Sequence, residues 1–157
     1  MSFTVSTSGF AELERELERL SKAAGKGVLR RSLKKAAEPM ADLMRAAAPD
    51  DPTTVGEDLK SSITVSTKLS KRQARMHRKM FGADRASVEM FVGPGPDPAA
   101  WNQEFGNINH GPQSFVRPAW DQDQRALLDR LSKNLWIELE KSIKRAEARA
   151  ARQAAGR

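Results

Sequence analysis

The chain has 157 residues, 39% of them hydrophobic and 30% charged, with a net charge of +7 and no cysteine. That size and apolar content suit one domain with one core, and the missing thiols exclude a disulfide framework, a thiolate zinc site and a cysteine nucleophile. No apolar run approaches the ~20 residues that span a bilayer, and MSFTVSTSGF lacks the basic and apolar regions of a signal peptide, so the expectation is a soluble protein, made in the cytoplasm, with no membrane partner.

From the N-terminus, Phe3 and Val5 alternate with Ser and Thr, which predicts a short strand or extended arm over 1–9. Ser8 is placed as an N-cap, and Phe10, Leu13, Leu17 and Leu20 then recur at helical spacing to about Ser21. Gly25 and Gly27 are expected to break this helix, with a second one beginning near Val28. Its apolar face carries Leu29, Leu33, Ala36, Met40, Leu43 and Ala47. Pro39 removes one backbone bond and clashes with the preceding turn, which predicts a kink or break between Ala37 and Met40. Pro49 ends the helix, and PDDPTTVGED is a loop by composition.

Leu59 to Lys68 alternates Ile63 and Val65 with polar residues, the pattern of a half-buried strand. Ser87 to Val92 supplies a second strand, and the prolines of GPGPDP are expected to end it by removing ladder donors. Between them, Leu69 to Phe81 reads either as a helix or as a mobile excursion between the strands.

The positive charge is concentrated in this region. Between Lys60 and Arg85 there are eight Lys or Arg and one acid, so this window accounts for the whole net charge. Lys68, Lys71, Arg72, Arg75, Arg78 and Lys79 are therefore candidates for contact with DNA or an acidic partner. The plainer alternative is a solvated basic face.

The rest of the chain is organised around WNQEFGNINHGPQSFVRPAW, residues 101–120. Trp101 and Phe105 are four apart and share a helical face, Gly106 can end that turn in a left-handed cap, and 107–112 form a loop. Pro118 suits the first position of a helix. The large apolar residues Trp101, Phe105, Phe115 and Trp120 are expected to pack this corner onto the sheet. Glu104, an acid between aromatics, reads as a hydrogen-bonded carboxylate orienting the Gly106 loop rather than as a general acid.

The C-terminal helix carries Trp120, Leu127, Leu131, Leu135 and Leu139 with Leu128, Trp136 and Ile143, and persists to about Ala150. From Pro118 it would measure ~50 Å, against a radius of gyration of ~15 Å for a compact domain of this size. The basic stretch 136–157 is therefore expected to project, with Leu135, Trp136, Leu139 and Ile143 as a candidate subunit interface.

No catalytic constellation stands out. His77 lies in a basic run and His110 in a Gly/Pro loop, neither with a ligand partner at metal spacing, and Asp50 and Asp51 read as turn formers. There is no phosphate cradle of the GxxxxGK[ST] kind. No catalytic residue, metal or cofactor is expected.

Several motifs in order nonetheless resemble one family: AAAP at 46–49, Val55-Gly56 where the family tends to have TG, LKSSI at 59–63, EFG at 104–106 and SFVRPA at 114–119. They resemble the minor tail or neck proteins of long-tailed bacteriophages, the tail-completion and head–tail joining group, over about residues 10–135. The resemblance implies an α+β fold, a small antiparallel sheet packed by long amphipathic helices with an extended C-terminal helix. It also implies a virion protein of the neck or upper tail acting as a ring, a hexamer being favoured. Its partners would be other neck and tail-tube proteins, with DNA passing through the channel. The alternative function is nucleic-acid binding through 60–85.

Overall fold

The computed structural model describes residues 22–49, 59–82 and 88–155. The arm and helix expected within 1–21 and most of the 49–58 loop lie outside the described residues.

Helix α1, Lys22–Ala47, runs without interruption through Gly25, Gly27 and Pro39, where the sequence predicts breaks. A helical glycine costs only ~1 kcal/mol relative to alanine, and Val28, one residue beyond Gly27, is fully buried against Leu135 and Leu139. Packing overrides propensity there. At Pro39 the ladder lacks the N–H that the Lys35 carbonyl would accept. The next carbonyl, that of Ala36, instead takes two hydrogen bonds from the guanidinium of Arg130, at 3.1 and 3.0 Å.

The first predicted strand is divided. Leu59–Ser62 forms a single helical turn, α2, and only Ile63–Ser66 forms strand β1. Strand β2 is Phe91–Pro94 and pairs antiparallel with β1, Ile63 opposite Pro94 and Ser66 opposite Phe91. It thus starts later than predicted and continues into the proline run expected to stop it. Among the described residues each of the two strands pairs on one side only, and a proline without a donor is tolerated on an edge.

Three further helices follow from these strands: α3, Lys71–Phe81, between them, then α4, Pro98–Phe105, and α5, Val116–Ala155, of 40 residues. Helices α1 and α5 run antiparallel, since Ser32 bonds to Asn134 and Ala36 to Arg130 while Met40 shares a cluster with Phe115 and Ala119. That cluster joins Met40, Ala41, Met44 and Ala48 of the α1 segment to Leu59, Ile63, Ala100, Phe115 and Ala119. Its alanines allow the helices to approach closely. Arg45 clips the sheet to α1 by donating twice to the Ile63 carbonyl, at 3.2 and 2.9 Å. The result is α+β, mostly helical, with a small antiparallel sheet and a long C-terminal helix.

The apolar stripe of α5 is not the free interface the sequence suggests. Leu135 and Leu139 are buried under Val28 of the same chain, and Trp136 and Ile143 pack against that cluster. Helix α1, itself 26 residues long, covers the stripe. From Lys144 to Ala155 every residue is exposed.

Candidate assembly surface

The corner is built by backbone satisfaction. Asp97 caps α4 by accepting the Ala99 N–H at 2.8 Å, with Pro98 at the first helical position. The helix ends at Gly106, whose φ of 77° favours glycine, and a Cβ there would lie 2.9 Å from the Pro112 nitrogen. Asn107 then holds the loop, its side-chain oxygen accepting the N–H groups of Asn109 and His110. The returning strand of chain is tied to α4 by the Gln113 N–H on the Gln103 carbonyl and the Ser114 hydroxyl on the Glu104 carbonyl, at 2.7 and 2.8 Å.

Glu104 completes the junction. Its buried carboxylate accepts the N–H groups of Phe115, Val116 and Arg117 at 2.9, 2.9 and 3.1 Å. A helix start leaves four N–H groups without an intrahelical partner; three end on Glu104, and the fourth position is Pro118, which has none. Pro118 therefore stands third in the helix rather than first, and serves the same end. Burial pushes the Glu104 carboxyl up, but the three backbone donors and the Arg117 side chain outweigh it and hold the group below the usual carboxylate range.

The aromatics divide differently from the sequence expectation. Phe115 is fully buried, whereas Trp101, Phe105 and Trp120 are 62%, 51% and 51% exposed. They do not pack the corner onto the sheet. The i,i+4 pair of α4 that faces inward is Ala100 and Glu104, because the acid has to reach the start of α5, and this turns Trp101 and Phe105 outward. Their rings lie 4.4 Å apart, and the Arg117 guanidinium stands 5.0 Å from the Phe105 ring centre, a cation–π arrangement. Trp120 follows Arg117 by one turn of α5, and Ile108 is wholly exposed at the loop. Trp101, Phe105, Ile108 and Trp120 thus present apolar surface to solvent on either side of the loop.

The basic residues lie on and beside α3. Ser70 and Gln73 form a reciprocal capping box, with bonds of 3.2 and 3.0 Å. Lys71, Arg72, Arg75, Arg78 and Lys79 are exposed along the helix, and Lys68 is exposed just before it. His77 docks α3 on the second strand, its ring 5.3 Å from that of Phe91 and its Nε2 3.5 Å from Glu89.

Two polar clusters were invisible in the sequence. Glu138 is buried and takes Arg31 at 2.6 Å and Lys35 at 2.8 Å. Asp123 is buried and grips Arg130 by both oxygens, at 2.9 and 2.5 Å. The only signal was an acid spaced to fall on the inner face of α5. Among the described residues no group of three metal-ligating side chains comes together, and no helix is long and apolar enough to cross a membrane. A depression of about 530 Å³ lined by Phe105 to Pro112 is open to solvent.

The described residues thus combine a capped corner that carries exposed aromatics with a helix whose cations are exposed. The chain belongs to the family described as Bacteriophage HK97-gp10, putative tail-component, whose model matches residues 11–106. It is a component of the phage tail and hence of the virion. The match ends at Gly106, so SFVRPA and α5 lie beyond it. No curated protein and no solved structure matches the chain.

Proposed function

We propose that the chain is a ring-forming subunit at the neck or upper tail, where the tail is completed and joined to the head, and that its shelf of Trp101, Phe105 and Trp120 meets the neighbouring subunit. The observation that carries this reading is three large aromatics, each more than half exposed, on a corner whose backbone is fully tied down. Contiguous apolar patches of this kind mark interfaces, and tryptophan and arginine are enriched among the residues that dominate them. A ring needs head-to-tail contacts that close on themselves, and a hexamer is the order favoured by the family resemblance. Other neck and tail-tube proteins would stack on its two faces.

Light scattering on the purified chain and on a Trp101→Ser, Phe105→Ser, Trp120→Ser variant tests the reading. The expected result is a closed oligomer for the native chain and a folded monomer for the variant. A variant of unchanged oligomeric state places the ring contacts elsewhere. Nucleic-acid binding through the basic segment is the second reading, and the row of exposed cations on α3 favours it.

A further inference from the structure

Helix α3 is the least anchored element of the described chain, with none of its eleven residues buried. A helix of that length is marginal in water by itself. The capping box and the His77 contact hold it in place, so its outer face has a defined geometry. At about 100° per residue, Lys71, Arg72, Arg75, Arg78 and Lys79 fall within roughly 120° of arc. Gln73 and His77 lie on the opposite side, toward the sheet. The helix contains no acid, and among the described residues none of the five cations makes an ion pair.

The uniform sign of this row, spread along one helical face, suits a partner of uniform negative charge. A row of one sign calls for a partner of the opposite sign, and five cations with no acid among them offer nothing that selects one position along it. A polymer with the same charge at every repeat meets such a row equally well in any register and can slide along it. No aromatic stands within the row to stack an unpaired base. We propose that the outer face of α3 is a sequence-independent contact for the phosphate backbone of double-stranded DNA. The contact belongs to the chain alone; its place on the inner wall of a ring rests on the assembly reading above.

The test is fluorescence anisotropy of a labelled 30-bp duplex with the purified full-length chain, across ~50–200 mM salt. Affinity should be equal for unrelated sequences and fall steeply with salt, with a log–log slope near −4.5 if all five cations meet phosphates. The Arg72→Gln, Arg75→Gln, Arg78→Gln variant should lose about 2.7 of that slope, with its helix content checked by circular dichroism. Lys71→Gln with Lys79→Gln, at the edges of the row, should lose less. Light scattering on the same samples reads the ring separately, so a monomer that binds DNA in this way supports the contact while sinking the ring. No binding at the lowest salt overturns the proposal. So does an unchanged slope in the arginine variant, which would move binding to the basic end of α5. Loss of the arginine variant from particles without any DNA binding by the native chain would assign the row to an acidic protein instead.

Discussion

Glu104 and Phe115, eleven residues apart, are joined by a 2.9 Å hydrogen bond from the Phe115 N–H to a carboxylate oxygen. Phe115 also places its ring at the centre of the core. One residue thus anchors the start of α5 twice, through its backbone on α4 and through its side chain on α1 and the sheet. The EFG and SFVRPA motifs act as a single device across the loop.

Replacing Glu104 by Ala leaves three N–H groups without their acceptor at the start of a long helix. Losing a cap costs ~1 kcal/mol, and an unsatisfied buried donor ~1–3 kcal/mol, so a loss of about 3 kcal/mol is expected in urea denaturation. Glu104→Gln keeps one acceptor oxygen and should lose roughly half as much. An unchanged midpoint for the alanine variant would show that water caps the helix equally well.

Phe115 and Phe105 should respond in opposite ways to truncation. Phe115→Ala empties a fully buried site and is expected to cost ~3–5 kcal/mol. Phe105→Ala removes a half-exposed ring and should cost no more than about 1 kcal/mol, its effect appearing in assembly. Equal losses in thermal melts would return Phe105 to the core.

That contrast marks what is legible in the sequence. The turn at Gly106, the helix beginning near Pro118 and the α+β class follow from local chemistry. Which face of α4 turns inward does not, because Trp101/Phe105 and Ala100/Glu104 have the same spacing, and only the distant N–H groups of α5 select the second pair. Gly25, Gly27 and Pro39 mislead for the same reason: each disfavours a helix locally, and each is overruled by partners over ninety residues away, Leu135 and Leu139 for the glycine region and Arg130 for the proline. The basic window is plain in composition, but its alignment on one helical face depends on the capping box that makes it a helix.

Glu138 gives the fold a pH dependence. Hydrogen bonds from Lys35 and Arg31 outweigh the opposing effect of burial and hold its carboxyl at about 2. Its unfolded value is ~4.3. A depressed folded pKa contributes stability above the unfolded value and loses that contribution as pH falls through the folded one. Stability should therefore decline between about pH 5 and pH 2, and Glu138→Gln should flatten that decline in denaturation at several pH values. Glu104, also shifted down, adds to the same slope and sets what remains. An identical profile in the Gln variant would show that the Arg31 and Lys35 contacts do not persist in solution.

Arg130 joins two needs, the carboxylate of Asp123 and the Ala36 carbonyl beside the proline gap. Arg130→Ala leaves a buried acid unpaired, and is expected to cost about 3 kcal/mol. Arg130→Lys keeps the charge but loses the planar fork that reaches both partners at once, so it should fall between. An unchanged midpoint for Arg130→Ala would show that the Asp123 pair contributes nothing to the fold.

Two truncations separate the core part of α5 from its exposed end. Ending the chain after Lys133 removes Leu135, Glu138 and Leu139 and uncovers Val28. Losing each buried leucine alone costs ~2–5 kcal/mol, which approaches the ~5–15 kcal/mol that holds a whole domain folded. This form should not melt cooperatively near the native temperature. Ending it after Lys144 removes, among the described residues, only exposed positions, and the melting temperature should stay within about 2 °C. If this longer form also keeps the native oligomer, the ring contacts lie on the corner or the sheet side rather than on the exposed end of α5. If instead it becomes monomeric while still folded, residues 145–157 are the assembly element, and the aromatic shelf is left for a different partner.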